Sequence, residues 1–427
     1  MRQSKDLKKR LNRFLVLGIV ATLSLYLVST SLAQTATEIQ NKIEEKDSAI
    51  KKLEREIASY QSELVGISKQ KSSLQGSIKE LDLTKKKLNA DIAVTENKIE
   101  RTNLKISELS RNIGNKETSI GVNLVSIQAG IRNMQELEET SLVVSMLSDN
   151  DFSDVWNDVD NMIAVRENLR KNIVDLRESK TVLEDIREET IAAKNELTRL
   201  KSQLSDQQKI VIQNTNEKNK LLKQTQNSEA NYQQLLRERL AQKEAFEKEL
   251  ETYEAQLKFI LDPSKIPSGR VLSWPLDKIF VTSPYAPRWS GFHRGTDFRA
   301  TVGTQVKAMA DGVVRGTGDT DLCCPGASFG KWIFIEYSNG LSSTYGHLSL
   351  ISVSRGQKVT RGQVVGYSGN TGSSTGPHLH VSLYVSSGVK VASFPSKSYP
   401  GKTLIQPISA TDAYLDPMKY LPPLSGN

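Results

Sequence analysis

The sequence predicts an α plus β, multidomain chain: a long antiparallel coiled-coil hairpin followed by a small antiparallel β domain. Three observations point there. Apolar residues recur at alternating spacings of three and four from Ile43 to Ile113; every Pro, and every Trp except Trp156, falls after residue 262; and short strand-forming runs punctuated by glycine fill the C-terminal third.

The first 33 residues read as an export segment. Arg2, Lys5, Lys8, Lys9, Arg10 and Arg13 precede an apolar run from Phe14 to Val28, and Ser31-Leu32-Ala33 closes it with a small-x-small pattern. Removal after Ala33 and retention as an N-terminal membrane anchor both fit, and either places the rest of the chain outside the cytoplasm. This segment also carries most of the formal net charge of +8. The remaining residues are close to balanced, so nucleic-acid binding loses its main support.

Residues 34–113 form the first predicted arm. Of the twenty-one seam positions from 43 to 113, the exceptions to apolar character are Lys46, Lys71, Lys85, Thr95 and Thr102, and Gly66 and Gly76 lie off the seam. Such a seam predicts a left-handed supercoil. Between residues 114 and 161 the heptads fail at Gly114, Gly121 and Gly130, and an apolar stretch from Leu142 to Leu147 follows, with Phe152, Val155 and Trp156 beyond it. That composition predicts short helices at a hairpin tip, with apolar surface suited to docking a partner or to packing the tip on itself. The second arm, residues 162–261, carries Leu169, Leu176, Leu183, Leu197 and Leu204 in heptad step. It loosens between Ser205 and Gln234, where Gln207, Asn214, Lys218 and Thr225 occupy the seam. A hinge is expected there. Two such arms most simply fold back on one another.

Asp262-Pro263 and Pro267-Ser268-Gly269 end the helix and make 262–268 a linker. Residues 269–390 then read as a compact β domain, with strands expected at Lys307–Met309, Gly312–Arg315, Trp332–Tyr337, Ser342–Tyr345, Val364–Tyr367 and His380–Val385; residues 391–427 remain as an extension. Cys323 and Cys324 are adjacent. Neighbouring Cα atoms sit about 3.8 Å apart, short of the usual disulfide span, and adjacent thiolates are poorly placed to share one tetrahedral ion. An ordinary loop is the expectation there.

All four histidines of the chain lie in this domain. His293 and Asp297 form a His-x-x-x-Asp, His347 follows Gly346, and His378 and His380 flank Leu379 at the head of a strand, so that the last two point to one face. A hydrolytic zinc site needs three protein ligands and an open position for water. His293, Asp297 and one of the closing pair can supply them, leaving two histidines for proton transfer and oxyanion stabilisation.

These motifs resemble the lysostaphin-type (LytM-type) zinc metallopeptidases, whose pattern is His-x-x-x-Asp, a later Gly-His-Leu-like histidine and a final His-x-His. The likeness covers about Gly269 to Val385 and includes Gly303-Thr304-Gln305-Val306-Lys307, Asp311-Gly312-Val313-Val314, Gly362-Gln363-Val364-Val365-Gly366 and Ser368-Gly369-Asn370-Thr371-Gly372. The resemblance implies one Zn2+ held by His293, Asp297 and His380, with His347 and His378 as catalytic, non-ligand histidines. It also implies a small antiparallel β barrel-like sandwich with an open zinc groove, and cleavage of peptide bonds in the cross-linking peptides of peptidoglycan. Where the family often has Phe-Gly-x-Arg, this chain has Tyr285-Ala286-Pro287-Arg288.

The helical part resembles that of murein hydrolase activators of the cell-division site, which implies a membrane transporter-like division complex as partner at the tip. Many such activators have lost metal ligands and switch on a separate amidase. Here the full set of five site residues is present, so catalysis is the expectation, in cell-wall remodelling or daughter-cell separation. The looser part of the second arm would let a helical segment cover the groove until a partner draws it away.

Overall fold

The structure, a computed structural model, describes residues 38–64, 73–139 and 152–424, apart from 256, 258–261, 263, 265 and 289–290. The export segment, and residues 140–151 of the expected tip, lie outside the described residues. Among the described residues four helices precede the β domain: α1 (38–64), α2 (Leu74–Glu139), α3 (Phe152–Thr225) and α4 (Glu229–Ala255). The described residues divide into two compact units, one drawn from the stretches up to 51 and from 94 to 202, the other from 52 to 93 and from 203 onward.

In the first unit α2 and α3 run antiparallel. Lys105 pairs with Glu189, Arg187 with Glu117, and Leu169 lies 3.4 Å from where a Cβ on Gly130 would stand. Leu109 and Leu183 are buried along the seam. The heptad seam does not continue as one uninterrupted arm: Lys46 pairs with Glu100 and Asp47 with Arg101, so α1 lies on α2. Periodicity reports which face of a helix is apolar, not which neighbour covers it. The three glycines expected to break the first arm do not end it, and α2 runs through all of them to Glu139. A helical glycine costs only about 1 kcal/mol, which packing offsets.

In the second unit the same antiparallel pairing continues with Lys218 on Asp82 and Gln207 on the Asp91 carbonyl, while Leu64 and Leu83 form a small cluster with Tyr60. Leu88 and Ile210 pack with Tyr367 of the β domain, and Lys87 donates to the Val302 carbonyl. The second arm breaks after Thr225. Gln226 and Asn227 both take left-handed backbone, with φ of 50° and 57°, and α4 begins two residues later. Asn tolerates this region better than most residues. The break falls inside the polar stretch of the seam.

The β domain is built on a ten-stranded antiparallel sheet whose main path is β1 (Val281–Ser283), β4 (Thr296–Arg299), β11 (His378–Val385), β8 (Leu341–Ile351), β7 (Lys331–Tyr337), β6 (Gly312–Asp319) and β9 (Lys358–Val359). The strands β5 (Gln305–Lys307), β10 (Val364–Ser368) and β14 (Tyr414–Leu415) join off this path, and β2 (Ala286–Arg288) pairs separately with β3 (Gly291–His293). The expected strand at Lys307–Met309 sits earlier, at β5, because Met309 and Ala310 are buried in a turn. One apolar core, with Phe298, Val306, Met309, Ile333, Ile335, Leu379, Val381 and Leu383 essentially sealed from solvent, holds the sheet.

The extension is not a loose tail. The strands β12 (Val389–Ser396) and β13 (Lys402–Ser409) form an eight-pair hairpin. Pro395 and Pro407 lie within it, which a two-stranded sheet accepts at its free edges. Cys323 and Cys324 are joined in a vicinal disulfide, against the expectation of an unbridged loop. Cys324 is fully buried with Phe246, Ala327, Phe394, Tyr399 and Leu404.

Candidate metal centre

Sheet register brings the predicted residues together. His380 of β11 stands opposite Asp297 of β4 on one side and Gly346 of β8 on the other, so His347 follows directly at the same level. His293 ends β3 and reaches the same point. Between His293 and Asp297 the chain needs Gly295, since a Cβ there would collide with the His380 ring and the Val381 carbonyl.

His293 Nε2, Asp297 Oδ1 and His380 Nδ1 form a triangle with edges of 2.9, 3.1 and 3.2 Å. Three ligands of a tetrahedral ion with bonds of 2.0–2.1 Å lie about 3.3 Å apart, so the donor set fits zinc. All three residues are buried.

The partners of the outer atoms fix which nitrogen offers its lone pair. His293 Nδ1 donates to the Pro284 carbonyl at 2.8 Å, leaving Nε2 as acceptor. The hydroxyl of Ser382 donates to the Arg294 carbonyl at 2.9 Å and therefore accepts from His380 Nε2 at 2.8 Å, leaving Nδ1 free. Arg288 donates to Asp297 Oδ2 at 2.8 Å and also to Ser283, which leaves Oδ1 turned to the triangle. Such outer bonds orient ligands before any ion arrives.

Charge states agree with this. Burial pushes the Asp297 carboxyl up, but hydrogen bonds and charge from His293 and His380, available while a proton rather than a cation sits between them, outweigh it and hold it far below the usual carboxylate range. Burial lowers the proton affinity of His380, against the pull of Asp297. An ionised carboxylate beside a neutral imidazole is the state a cation requires.

His347 and His378 face the same cavity, their ring centroids 4.6 Å apart; His347 lies 5.7 Å from His380, and His378 Nε2 lies 3.6 Å from Asp297 Oδ1. The Nδ1 of each faces a carbonyl, His347 that of Thr371 and His378 that of Gly376, so in the neutral ring Nδ1 donates and Nε2 is the nitrogen left to accept. Burial, followed by the charges of His378 and His380, drives His347 well below its ordinary pKa. His347 also sits at φ 59°, a strained backbone for a residue with a Cβ.

α4 lies across this centre. A cavity of 610 Å³ is lined on one side by Lys243, Glu244, Glu247, Leu250, Glu251 and Glu254 of α4, and on the other by the histidines, Asp297, Arg288, Arg294 and Tyr414. Phe246 is fully buried against Phe394 and Tyr399, Tyr253 stacks on Phe394 at 5.0 Å, and Glu249 accepts from Lys397 N, Ser398 N and the hydroxyls of Ser396 and Ser398. Ser373, in the loop that carries His378, donates to Glu247, and Tyr414 donates to Glu254 at 2.6 Å.

The sequence reading therefore named the five central residues, and the structure brings all five together. It did not single out Ser382, Arg294 or the lining from α4. Arg288 was visible only as the last residue of a departing motif.

Residues 291–392 match the family model described as Peptidase family M23. Peptidoglycan DD-endopeptidase ShyA of Vibrio cholerae is 45% identical over 105 residues, 25% of this chain and 22% of that protein. Glycyl-glycine endopeptidase ALE-1 of Staphylococcus capitis is 41% identical over 91 residues, 21% of this chain and 24% of that protein. Among solved structures, the catalytic domain of the antimicrobial peptidase lysostaphin from Staphylococcus simulans is 30% identical, with 33% of this chain and 90% of that one covered and a TM-score of 0.25. The C-terminal part of this chain is a peptidase family M23 domain. The chain spans about a quarter of the length of the curated relatives it matches.

Proposed function

We propose that this chain is a zinc-dependent endopeptidase that hydrolyses peptide bonds in the cross-linking peptides of peptidoglycan, outside the cytoplasm, with α4 as a removable cover over the groove. The observation that carries this reading is the triangle of His293 Nε2, Asp297 Oδ1 and His380 Nδ1 with two further imidazoles, His347 and His378, beside it. The relatives named as endopeptidases support the substrate class.

His293, Asp297 and His380 would hold the ion, which when bound supplies a Lewis acid for the scissile carbonyl and a more acidic water. His378 Nε2 is open to accept the proton released as water attacks, because its Nδ1 proton is already held by Gly376. The same atom then carries that proton to the departing amine. His347, kept neutral by burial, presents a second acceptor beside that of His378, the two rings 4.6 Å apart. Phe329, 5.7 Å from His380, helps to exclude bulk water from the ligand side.

The cover is supported by the burial of Phe246 and by the four hydrogen bonds that Glu249 accepts from the hairpin turn. On this reading a membrane transporter-like division complex, acting on the helical part at 114–161, draws α4 off during cell-wall remodelling or daughter-cell separation. A catalytically silent activator of a separate amidase would have no use for five such site residues gathered around one point.

Incubation of the purified chain with isolated cell walls, with and without a chelator and beside His380→Ala, tests the enzyme. Release of peptide fragments that is lost in both controls supports it, and the fragment masses identify the bond; release unaffected by either control overturns it. Comparison of residues 265–427 with 34–427 tests the cover. Equal rates on the same walls would rule it out.

A further inference from the structure

The face that α4 turns toward the groove is mostly acidic: Glu244, Glu247, Glu251 and Glu254 recur at spacings of three and four and line one side of the cavity, with Lys243 paired to Glu247. Opposite them is Arg294. Its carbonyl accepts from Ser382, which in turn accepts from His380, so its backbone is tied to the metal centre while its side chain enters the groove. The guanidinium lies 3.8 Å from Glu251 and 3.8 Å from Glu254, and 5.8 Å over the Tyr414 ring. Among the described residues these α4 glutamates are the carboxylates that pair with it, and the β domain itself provides none. Arg288, the other arginine of the groove, is already bound to Asp297.

Both Arg294 contacts are too long for hydrogen bonds, so the planar fork of donors is not used in its preferred bidentate way. Burial raises Glu254 to about 7, against the hydrogen bond from Tyr414 and the charge of Arg294, so it is an imperfect counter-ion. A cation one residue from a proposed metal ligand, whose carboxylate partners among the described residues hold it loosely and lie on a helix over the groove, is arranged to exchange that helix for another anion.

Resting on the endopeptidase reading above, we infer that Arg294 is a specificity-determining residue that binds a free carboxylate of the substrate peptide next to the bond to be cut, and that the glutamates of α4 occupy its place as carboxylate surrogates. The substrate class is thus an acidic peptide strand rather than a neutral one. Cover and substrate compete for one cation.

The test uses the full chain opened by Phe246→Ala with Glu249→Ala, and a second opened form, Glu247→Gln with Glu251→Gln and Glu254→Gln, in case the first folds poorly. The probe is a soluble cross-linked muropeptide dimer, in its free-acid form and with its carboxylates converted to amides. Binding is measured by calorimetry on metal-loaded protein, and cleavage is read separately. The free acid is expected to bind the opened chain about tenfold more tightly than the amide, the loss expected when a charge-assisted pair is removed. Arg294→Gln abolishes that preference without weakening the amide, and Arg294→Lys restores part of it. Equal binding of acid and amide, an equal loss of both in Arg294→Gln, or binding of neither overturns the inference. Selective binding of the acid without cleavage upholds the carboxylate site and overturns the hydrolase reading alone.

Discussion

Ser382 shows how much of the centre is decided one bond away from the proposed ligands. Its single proton goes to the Arg294 carbonyl, and this alone makes it an acceptor for His380 Nε2 and leaves Nδ1 for the cation. Ser382→Ala is expected to fold and to lose about 10–100-fold in zinc affinity, read by competition with a chromogenic chelator. A second prediction concerns protons. His347 has a depressed pKa, so its contribution to stability is complete above the ordinary histidine value of about 6.5 and is lost as pH falls below it. Glu254 has the opposite sign, because its pKa is raised to about 7: its contribution is present near pH 4.5 and is lost as pH rises through 7. In the metal-free chain the two oppose each other between pH 5 and 7. His347→Gln should therefore flatten the acid-side fall in Tm, and Glu254→Gln should steepen it.

The five central residues were legible in the sequence because histidine is scarce here and strand alternation alone sets His378 and His380 on one side. Ser382 was not, since a serine in a strand carries no signal until its two partners are known. At the scale of elements the contrast is similar. The heptads gave the helical arms, but α1 lying on α2 was hidden, because Ile43 to Ile113 keeps its spacing whichever neighbour covers it. The β12–β13 hairpin was missed because lysine, serine and proline interrupt its alternation. Its apolar residues Phe394, Leu404 and Ile408 make sense only with Phe246 between them and Tyr399. Phe246→Ala is accordingly expected to remove about 3–5 kcal/mol from the docking of α4, by the usual cost of deleting a buried aromatic. Limited proteolysis within α4 should become faster, and hydrolysis of cell walls should rise; unchanged cleavage by the protease would mean that α4 is held by other contacts.

For the molecule as a whole, the division into two compact units has a calorimetric counterpart. The described residues of the first unit are helical, and the candidate metal centre lies entirely in the second. Thermal unfolding is expected in two transitions, and zinc should raise only one of them, by an amount that grows with the logarithm of free ion. A single transition that moves with zinc would show the units unfolding together.

The left-handed pair Gln226–Asn227 sets the rotational phase of everything downstream of it. An α-helix advances about 100° per residue, so one residue added between Asn227 and Phe246 would swing the glutamates away from Arg294 and turn charged positions onto the hairpin, whereas seven added residues would restore the phase to within about 20°. Insertion scanning of this short stretch would then yield a periodic record of latency, with leaky variants at one to three added residues and quiet ones returning near seven.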